Sequence, residues 1–134
     1  KKIVFPAHPR IQKIAKLNLK SKNIILLEPK GYFEFGSLLK NSFAVITDSG
    51  GVQKESFFFR KNCFVLRNET EWTELIKKNI NVLLKPNNKN FFKKIISHKF
   101  SHKTNNFFPY GRGKSSKYIV KEIFKNFNNK RVNK

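Results

Sequence analysis

Residues 47–55, which read TDSGGVQKE, hold the residue types best suited to binding an anion. A strand that ends in Ser49, Gly50 and Gly51, with a helix beginning near Val52, exposes the first free N–H groups of that helix, and glycine lets an anion approach them closely. The helix dipole favours negative charge at this point, and the Ser49 hydroxyl adds a further donor. The segment therefore predicts a phosphate site.

The carboxylate of Glu55 lies about one helical turn beyond these glycines. It can accept two hydrogen bonds from the vicinal hydroxyls of a ribose, as an acidic residue does in dinucleotide folds. The alternative to a phosphate site is an ordinary strand-to-helix turn with glycines for its geometry. This alternative stays open because neither the GxxxxGK[ST] nor the GxGxxG pattern is present. Asp48, the only Asp of the sequence, is expected to cap the helix.

Two further groups of residues follow predicted strands, at the carboxyl edge where open α/β sheets bind ligands. His8 and Arg10 come after the first strand, and a guanidinium can hold phosphate through two hydrogen bonds. Tyr32, Phe33 and Phe35 come after the second strand, where a ring can stack on a base. The alternatives are plain surface positions for the first pair, and packing within the core for the rings, above all for Phe33.

No metal or cofactor is expected. His98 and His102 have a spacing seen in metal pairs, but no carboxylate or Cys accompanies them, which favours solvated residues. Cys63, the one cysteine, falls in the apolar run 63–66 and predicts a buried, reduced thiol and a cytoplasmic protein. No apolar run approaches the roughly 18 residues of a transmembrane helix. Because the sequence starts without Met and already on a strand, we expect a piece of a longer protein.

Short apolar runs alternate with stretches of helical period along the chain. The predicted strands are 3–5, 23–27, 43–47, 63–66 and 81–84. A strand followed by a helix, five times over, is typical of a parallel sheet with helices on both faces. We therefore predict an α/β, Rossmann-like domain over residues 1–127 and a basic, frayed tail at 128–134.

The net charge suggests a different class of protein. With 29 Lys and Arg against 8 Asp and Glu, the net charge is +21, which suggests nucleic acid or an anionic surface as partner. The Lys residues are spread along the chain, however, and accompany abundant Asn, Ile and Phe, as an A/T-rich coding sequence produces. We favour this compositional bias over nucleic-acid binding. The hydrophobic fraction of 39% excludes a disordered chain.

Six sequence blocks carry a resemblance to a known family. They are 8–10 (HPR), 31–35 (GYFEF), 47–55 (TDSGGVQKE), 67–74 (RNETEWTE), 81–84 (NVLL) and 109–116 (PYGRGKSS). In this order they resemble the C-terminal domain of the non-hydrolysing UDP-N-acetylglucosamine 2-epimerases, over nearly the whole chain to about Phe127. The resemblance implies one half of a GT-B-type fold, with a UDP-sugar in the cleft between the two halves.

The resemblance also implies residue roles and a reaction. Ser49, Gly50 and Gly51 would bind the diphosphate, Glu55 the ribose and Phe35 the uracil. UDP would be eliminated across C1 and C2 of the sugar and added back with C2 inverted, in the synthesis of surface-polysaccharide precursors. The carboxylates that move the C2 proton belong to the family's N-terminal domain, so we expect no catalytic residue here and no activity from the chain alone. The full predicted UDP site comprises Ser49, Gly50, Gly51, Glu55, Phe35, Arg10 and His8.

The partners implied are the UDP-sugar and an N-terminal domain on the same or a separate chain; a homodimer is left open. Trp72 stands where many members have a ligand-contacting Arg, and this version resembles a subset that acts on UDP-diacetamido-uronic acids. The identity of the sugar is therefore open. Lys54 replaces a Glu, which suits an exposed position. Three alternatives stay open: the nucleotide-binding half of a GT-B glycosyltransferase, a small basic nucleic-acid-binding domain, and a truncated product that binds without turnover.

Overall fold

The computed structural model describes residues 2–99 and 106–132. The chain divides into two compact units, residues 1–100 and 101–134. This division does not coincide with the domain boundary at 127, which stays a prediction.

The first unit alternates strands and helices without interruption. Its strands are β1 (Ile3–Pro6), β2 (Ile24–Leu27), β3 (Ala44–Thr47), β4 (Asn62–Val65) and β5 (Asn81–Leu83). Its helices are α1 (Pro9–Asn18), α2 (Tyr32–Asn41), α3 (Gly50–Phe58), α4 (Thr73–Lys77) and α5 (Phe91–Ser97). All five predicted strands are present within one or two residues of their expected ends, and the α/β class is confirmed.

Every strand pair is parallel, as the strand–helix alternation predicts. Hydrogen bonding divides the strands into a two-stranded sheet, β1–β2, and a three-stranded sheet in the order β3–β4–β5. In the second sheet Thr47 lies opposite Val65, so β3 and β4 end at the same edge. The Leu66 N–H continues the pairing by donating to the Thr47 carbonyl at 2.8 Å. The segments that follow these two strands therefore start side by side.

The core of the first unit lies where α2, β3 and β4 meet. Its buried members are Leu39, Val45, Cys63 and Val65, and α3 packs against both β3 and β4. A large apolar side chain that is fully buried stabilises a fold by about 1.5–3 kcal/mol, which explains why the last three residues of β4 are apolar and buried. Burial raises the pKa of the Cys63 thiol to about 12, so the thiol is neutral at physiological pH. The predicted buried thiol is confirmed.

The second unit contains one long helix, α6 (Ser115–Val132). The helix runs past residue 127, where the frayed tail was predicted to begin, and residues 133–134 lie outside the described part. Across the described ranges, no helix combines the length and the apolar character that crossing a membrane requires.

Candidate functional site

The N-terminus of α3 is capped by Ser49. Its Oγ accepts the N–H of Val52 at 3.4 Å, and its carbonyl accepts the N–H of Gln53 at 3.2 Å. The expectation that Asp48 caps this helix is wrong, because Ser49 holds the extended backbone of the cap position, with φ −80° and ψ 128°. The helix consequently begins at Gly50, earlier than the sequence indicates.

Two adjacent backbone N–H groups at this end, those of Gly50 and Gly51, have no acceptor among the described residues. The first N–H groups of any α-helix lack acceptors within the helix, and the Ser49 cap takes only that of Val52. The Ser49 hydroxyl hydrogen is also available, because its oxygen acts as the acceptor in the cap. Three donors thus lie in consecutive residues at the positive end of the helix dipole, which suits an anion.

Glu55 lies one turn along the same helix, four residues after Gly51. Residues four apart share a helix face, and at 1.5 Å per residue the two are about 6 Å apart along the axis. Gln53 and Ser56 are fully buried and occupy a different face. Within the described chain the Glu55 carboxylate forms no ion pair. A phosphate bound at the helix end would therefore have the Glu55 carboxylate about one helical turn away, within reach of the next group of the same ligand.

The segment after β4 contacts α3, a feature that the sequence interpretation did not include in the site. The indole Nε1–H of Trp72 donates to the Gly50 carbonyl at 2.8 Å. The Thr70 hydroxyl donates to Gln53 Oε1 at 2.6 Å, and the Lys54 ammonium lies 4.8 Å from the centre of the Trp72 ring. The predicted parallel pairing of the strands could have indicated this contact, since segments that follow adjacent parallel strands meet at one edge of the sheet.

Glu71 from the same segment lies directly against Gly50. A Cβ at Gly50 would overlap the Glu71 carboxylate. The other carboxylate oxygen accepts a hydrogen bond from Arg67 Nη1 at 2.8 Å. A hydrogen bond from its own backbone N–H, assisted by Arg67, holds the pKa of the Glu71 carboxyl below its usual value, so the group is anionic at neutral pH. Gly50 is thus needed to make room for the protein's own carboxylate.

Gly51 is the more open of the two glycines. A Cβ there would meet only the Ser49 hydroxyl, at 3.8 Å, an ordinary contact. A substitution at Gly51 therefore tests the approach of a ligand without a clash inside the protein.

His8 and Arg10 lie at the start of α1. The His8 side chain caps this helix, with Nδ1 accepting the Arg10 N–H at 3.3 Å, and both side chains are exposed. Within residues 2–99, no hydrogen bond or ion pair joins either residue to residues 49–51. The structure gives His8 a capping role that the sequence interpretation missed, and their place in a UDP site stays a prediction.

The aromatic residues of α2 divide into packed and exposed rings. Phe35 is half-buried and packs against the core that contains Leu39. Tyr32 and Phe33 are 71% and 88% exposed and contact each other edge to face, with ring centres 5.6 Å apart. The alternative that Phe33 packs in the core is wrong, because it lies on the helix face turned to solvent. Tyr32 and Phe33 are therefore exposed rings of α2, and the contact of any ring of this helix with a base stays a prediction.

The two histidines with the spacing of a metal pair, for which the sequence favoured solvated positions, have different outcomes. Nε2 of His98 lies 3.0 Å from Oδ1 of Asn79, a hydrogen-bonding contact, and His102 lies outside the described residues. In the ranges 2–99 and 106–132, no three His, Cys, Asp or Glu side chains are grouped as metal ligands.

A parallel α/β unit with an unpaired helix N-terminus directly after a strand belongs to the class of folds that bind nucleotides at the carboxyl edge of the sheet. Within that class, residues 1–124 match the UDP-N-acetylglucosamine 2-epimerase family. The chain belongs to this family, and the family prediction is confirmed.

Among curated relatives, a UDP-N-acetylglucosamine 2-epimerase homolog from Methanococcus maripaludis is 39% identical over 131 residues, covering 93% of this chain and 36% of the relative. The UDP-2,3-diacetamido-2,3-dideoxy-D-glucuronate 2-epimerase of Pseudomonas aeruginosa is 48% identical over 83 residues, covering 61% of this chain and 23% of the relative. The chain thus spans about a third or less of these proteins.

Solved structures give the same result for the fold. The S. aureus MnaA–UDP co-structure matches with a TM-score of 0.81 and 30% identity over 95% of this chain and 36% of that chain. The UDP-GlcNAc 2-epimerase of Methanocaldococcus jannaschii, in complex with UDP-GlcNAc and UDP, matches with a TM-score of 0.76 and 33% identity over 92% of this chain and 36% of that one. The predicted Rossmann-like fold is confirmed.

Proposed function

We propose that this chain is the UDP-binding, C-terminal part of a UDP-N-acetylglucosamine 2-epimerase-type isomerase. The observation that carries the proposal is the pair of unpaired N–H groups of Gly50 and Gly51, with the Glu55 carboxylate one turn beyond them. Support comes from the family of the chain and from its resemblance to two structures that contain UDP.

The proposed role of the α3 N-terminus is to hold the diphosphate. The two glycine N–H groups and the Ser49 hydroxyl donate to phosphate oxygens, and the helix dipole adds a fixed positive potential. In an elimination across C1 and C2, UDP leaves with the electrons of the C1–O bond, and negative charge grows on the β-phosphate. Donors fixed in place before that charge develops lower the barrier, because they bind the leaving group more tightly than the intact sugar phosphate.

The proposed nucleoside contacts lie on either side of this turn. Glu55 accepts hydrogen bonds from the two ribose hydroxyls, while Phe35 and the exposed rings of Tyr32 and Phe33 provide a face for uracil. His8 and Arg10 complete the site if the base or the diphosphate reaches the start of α1.

The proton-transferring carboxylates of the reaction are proposed to lie on an N-terminal domain, on the same or a separate chain, with a homodimer left open. The setting proposed is the cytoplasm and the synthesis of surface-polysaccharide precursors. We expect the 134-residue chain alone to give no exchange of the C2 proton of UDP-GlcNAc for deuterium, as followed by NMR. Exchange by the isolated chain would refute this division of labour.

Calorimetry with UDP, ADP and inorganic pyrophosphate tests the site assignment. Glu55→Gln keeps the shape of the side chain but removes the charge from its bonds to ribose, each worth about 1.5–3 kcal/mol. We expect UDP binding to weaken by about tenfold or more and pyrophosphate binding to stay unchanged, because pyrophosphate has no ribose. Glu69 is an exposed carboxylate after β4, so Glu69→Gln is the matched control and should change the affinity for neither ligand. Equal losses for UDP and pyrophosphate in Glu55→Gln would contradict the ribose role.

The same titrations separate the nucleotide-sugar function from nucleic-acid binding. A uridine pocket prefers UDP to ADP, whereas binding driven by counterion release weakens steeply with salt and ignores the base. We expect a preference for UDP at ~0.15 M salt, near physiological ionic strength. Equal affinity for UDP and ADP together with tight duplex binding would favour the basic-protein alternative.

A second candidate differs only in the sugar. The 48% identity to a UDP-diacetamido-glucuronate epimerase favours a uronic acid substrate, as does Trp72, whose indole bonds the Gly50 carbonyl where many members have a ligand-contacting Arg. Deuterium exchange at C2, measured for both UDP-sugars after an N-terminal domain is supplied, decides between them. Exchange confined to UDP-GlcNAc would exclude the uronic acid.

A further inference from the structure

Glu71 lies directly against Gly50 at the proposed diphosphate site, and its charge opposes an anionic ligand. Its carboxylate lies between two positive centres, the N-terminus of α3 at Gly50 and the guanidinium of Arg67. A helix N-terminus carries the equivalent of about half a positive charge. An anion in this position is therefore stabilised from both sides, which is what a phosphate at the same place would experience.

We propose that Glu71 is an internal competitor of the diphosphate: its carboxylate holds the place beside Gly50, and the nucleotide displaces it. The displaced carboxylate releases Arg67, whose planar guanidinium can then donate two hydrogen bonds to phosphate oxygens. This inference rests on the proposed function, since it assumes that the α3 N-terminus receives a diphosphate.

The contacts of the loop allow such an exchange without a change of fold. Thr70 is bonded to Gln53, and Trp72 to the Gly50 carbonyl, so the backbone on either side of Glu71 is held against α3. The Arg67 and Glu71 side chains are by contrast 36% and 47% exposed. Exposed ion pairs contribute little to stability, so breaking this one opposes ligand binding only weakly. Two side chains move while the loop stays in place.

The charge of Glu71 affects the affinity for a diphosphate in a direction that can be predicted. A diphosphate must either lie beside a carboxylate, which repels it, or displace that carboxylate from Arg67. Removing the charge of Glu71 therefore makes binding tighter. If Glu71 instead serves only to aim Arg67 at the ligand, removing its charge makes binding weaker, so the two roles predict opposite changes.

The test is calorimetry on the 134-residue chain with UDP and with inorganic pyrophosphate. We expect Glu71→Gln to tighten both ligands by about fivefold to tenfold, equally, because the competition concerns the diphosphate that they share. Arg67→Gln should weaken both, since it removes a phosphate donor and leaves Glu71 beside Gly50. Glu69→Gln removes the same charge from an exposed position two residues away and should change either affinity by less than about twofold.

The outcomes are distinct. Unchanged or weaker binding in Glu71→Gln, or an equal gain in Glu69→Gln, would overturn the competition while leaving the proposed function intact. A wild-type chain that binds neither UDP nor pyrophosphate would defeat the proposed function and this inference with it. Thermal unfolding of each variant verifies that it is folded.

Discussion

Helices α2 and α3 each follow a parallel strand, yet the carboxylate beside each N-terminus comes from a different part of the chain. In α2 the Gly31 N–H donates to Glu34 Oε2 at 3.1 Å, so a carboxylate in its own first turn neutralises the helix end. The first turn of α3 has no acidic residue. The carboxylate beside α3 comes from another segment, through Glu71. A helix with a carboxylate in its own first turn keeps that anion beside its N-terminus. A helix whose N-terminus lies against a carboxylate from another segment can exchange that carboxylate for an anionic ligand.

The start of α1 resembles α2 more than α3. Pro9 at its first position has no N–H to satisfy, and His8 accepts the next one. Over residues 2–99, α2 and α3 each leave the N–H groups of their first two residues without an acceptor. They differ in charge, because α2 has an acidic residue in its first turn and α3 has none. The comparison teaches that the position of a helix after a strand is not enough to define an anion site. The residues of its first turn decide.

The largest expected effect comes from giving α3 a carboxylate of its own. In Gly51→Asp the Cβ of the new side chain makes only an ordinary contact with the Ser49 hydroxyl, and the carboxylate places negative charge at the helix end. We expect UDP and pyrophosphate binding to weaken by roughly 100-fold. The free energy of unfolding should stay constant or rise by about 0.3–1 kcal/mol, the value of an acidic residue near a helix N-terminus.

The control for this variant is Ser37→Asp, which adds the same charge at an exposed position of α2 and should leave both affinities within about twofold. Calorimetry and chemical denaturation measure the two quantities. If Gly51→Asp lowered both the ligand affinities and the free energy of unfolding, the substitution would disrupt the turn. The loss of binding could then not be attributed to a carboxylate at the helix end.

A smaller effect is expected from the cap of α3. Ser49→Ala removes the side chain that accepts the Val52 N–H, a loss of about 1 kcal/mol in the free energy of unfolding, and it removes one donor to phosphate. We expect UDP binding to weaken about threefold to tenfold. Asp48→Ala is the control for stability and should leave the free energy of unfolding unchanged, since Asp48 is exposed and does not cap the helix. If Asp48→Ala cost as much stability as Ser49→Ala, the cap assignment would have to be reversed.

The smallest effect belongs to α2. Glu34→Gln weakens the bond to the Gly31 N–H and removes a charge that favours the helix end, so we expect a loss of about 0.3–1 kcal/mol in the free energy of unfolding. The affinity for pyrophosphate should remain within about twofold, because α2 has no proposed role at the diphosphate. A large change in pyrophosphate affinity would show that this helix end is also part of the site.

Much of the fold could be predicted because its signals are local. Short apolar runs without alternation predict strands, and their regular separation by helical stretches predicts parallel pairing; the buried Cys63 follows from the same pattern. The contact between Glu71 and Gly50 could not be predicted, since it depends on the register of β3 and β4. Phe33 shows a further limit: an aromatic stripe does not reveal which of its rings is covered.

The predicted cap failed for a related reason. Asp48 and Ser49 both suit a helix cap, and only the backbone at the end of β3 selects between them. Residues 49–51 were correctly predicted to lie at the start of a helix, whereas their binding of phosphate stays a prediction. The reason given for glycine at position 50 was incomplete, because the Glu71 carboxylate also occupies the space that a side chain there would need.

The ¹⁵N–¹H spectrum of the chain during titration with UDP and with pyrophosphate tests directly whether the α3 N-terminus binds the diphosphate. We expect the amide signals of Gly50 and Gly51 to shift strongly and saturate with both ligands, while that of Gly31, which already donates to Glu34, stays in place. If the Gly31 amide shifted as much as the other two, or if the Gly50 and Gly51 amides stayed in place while UDP bound, the α3 N-terminus would not be the diphosphate site.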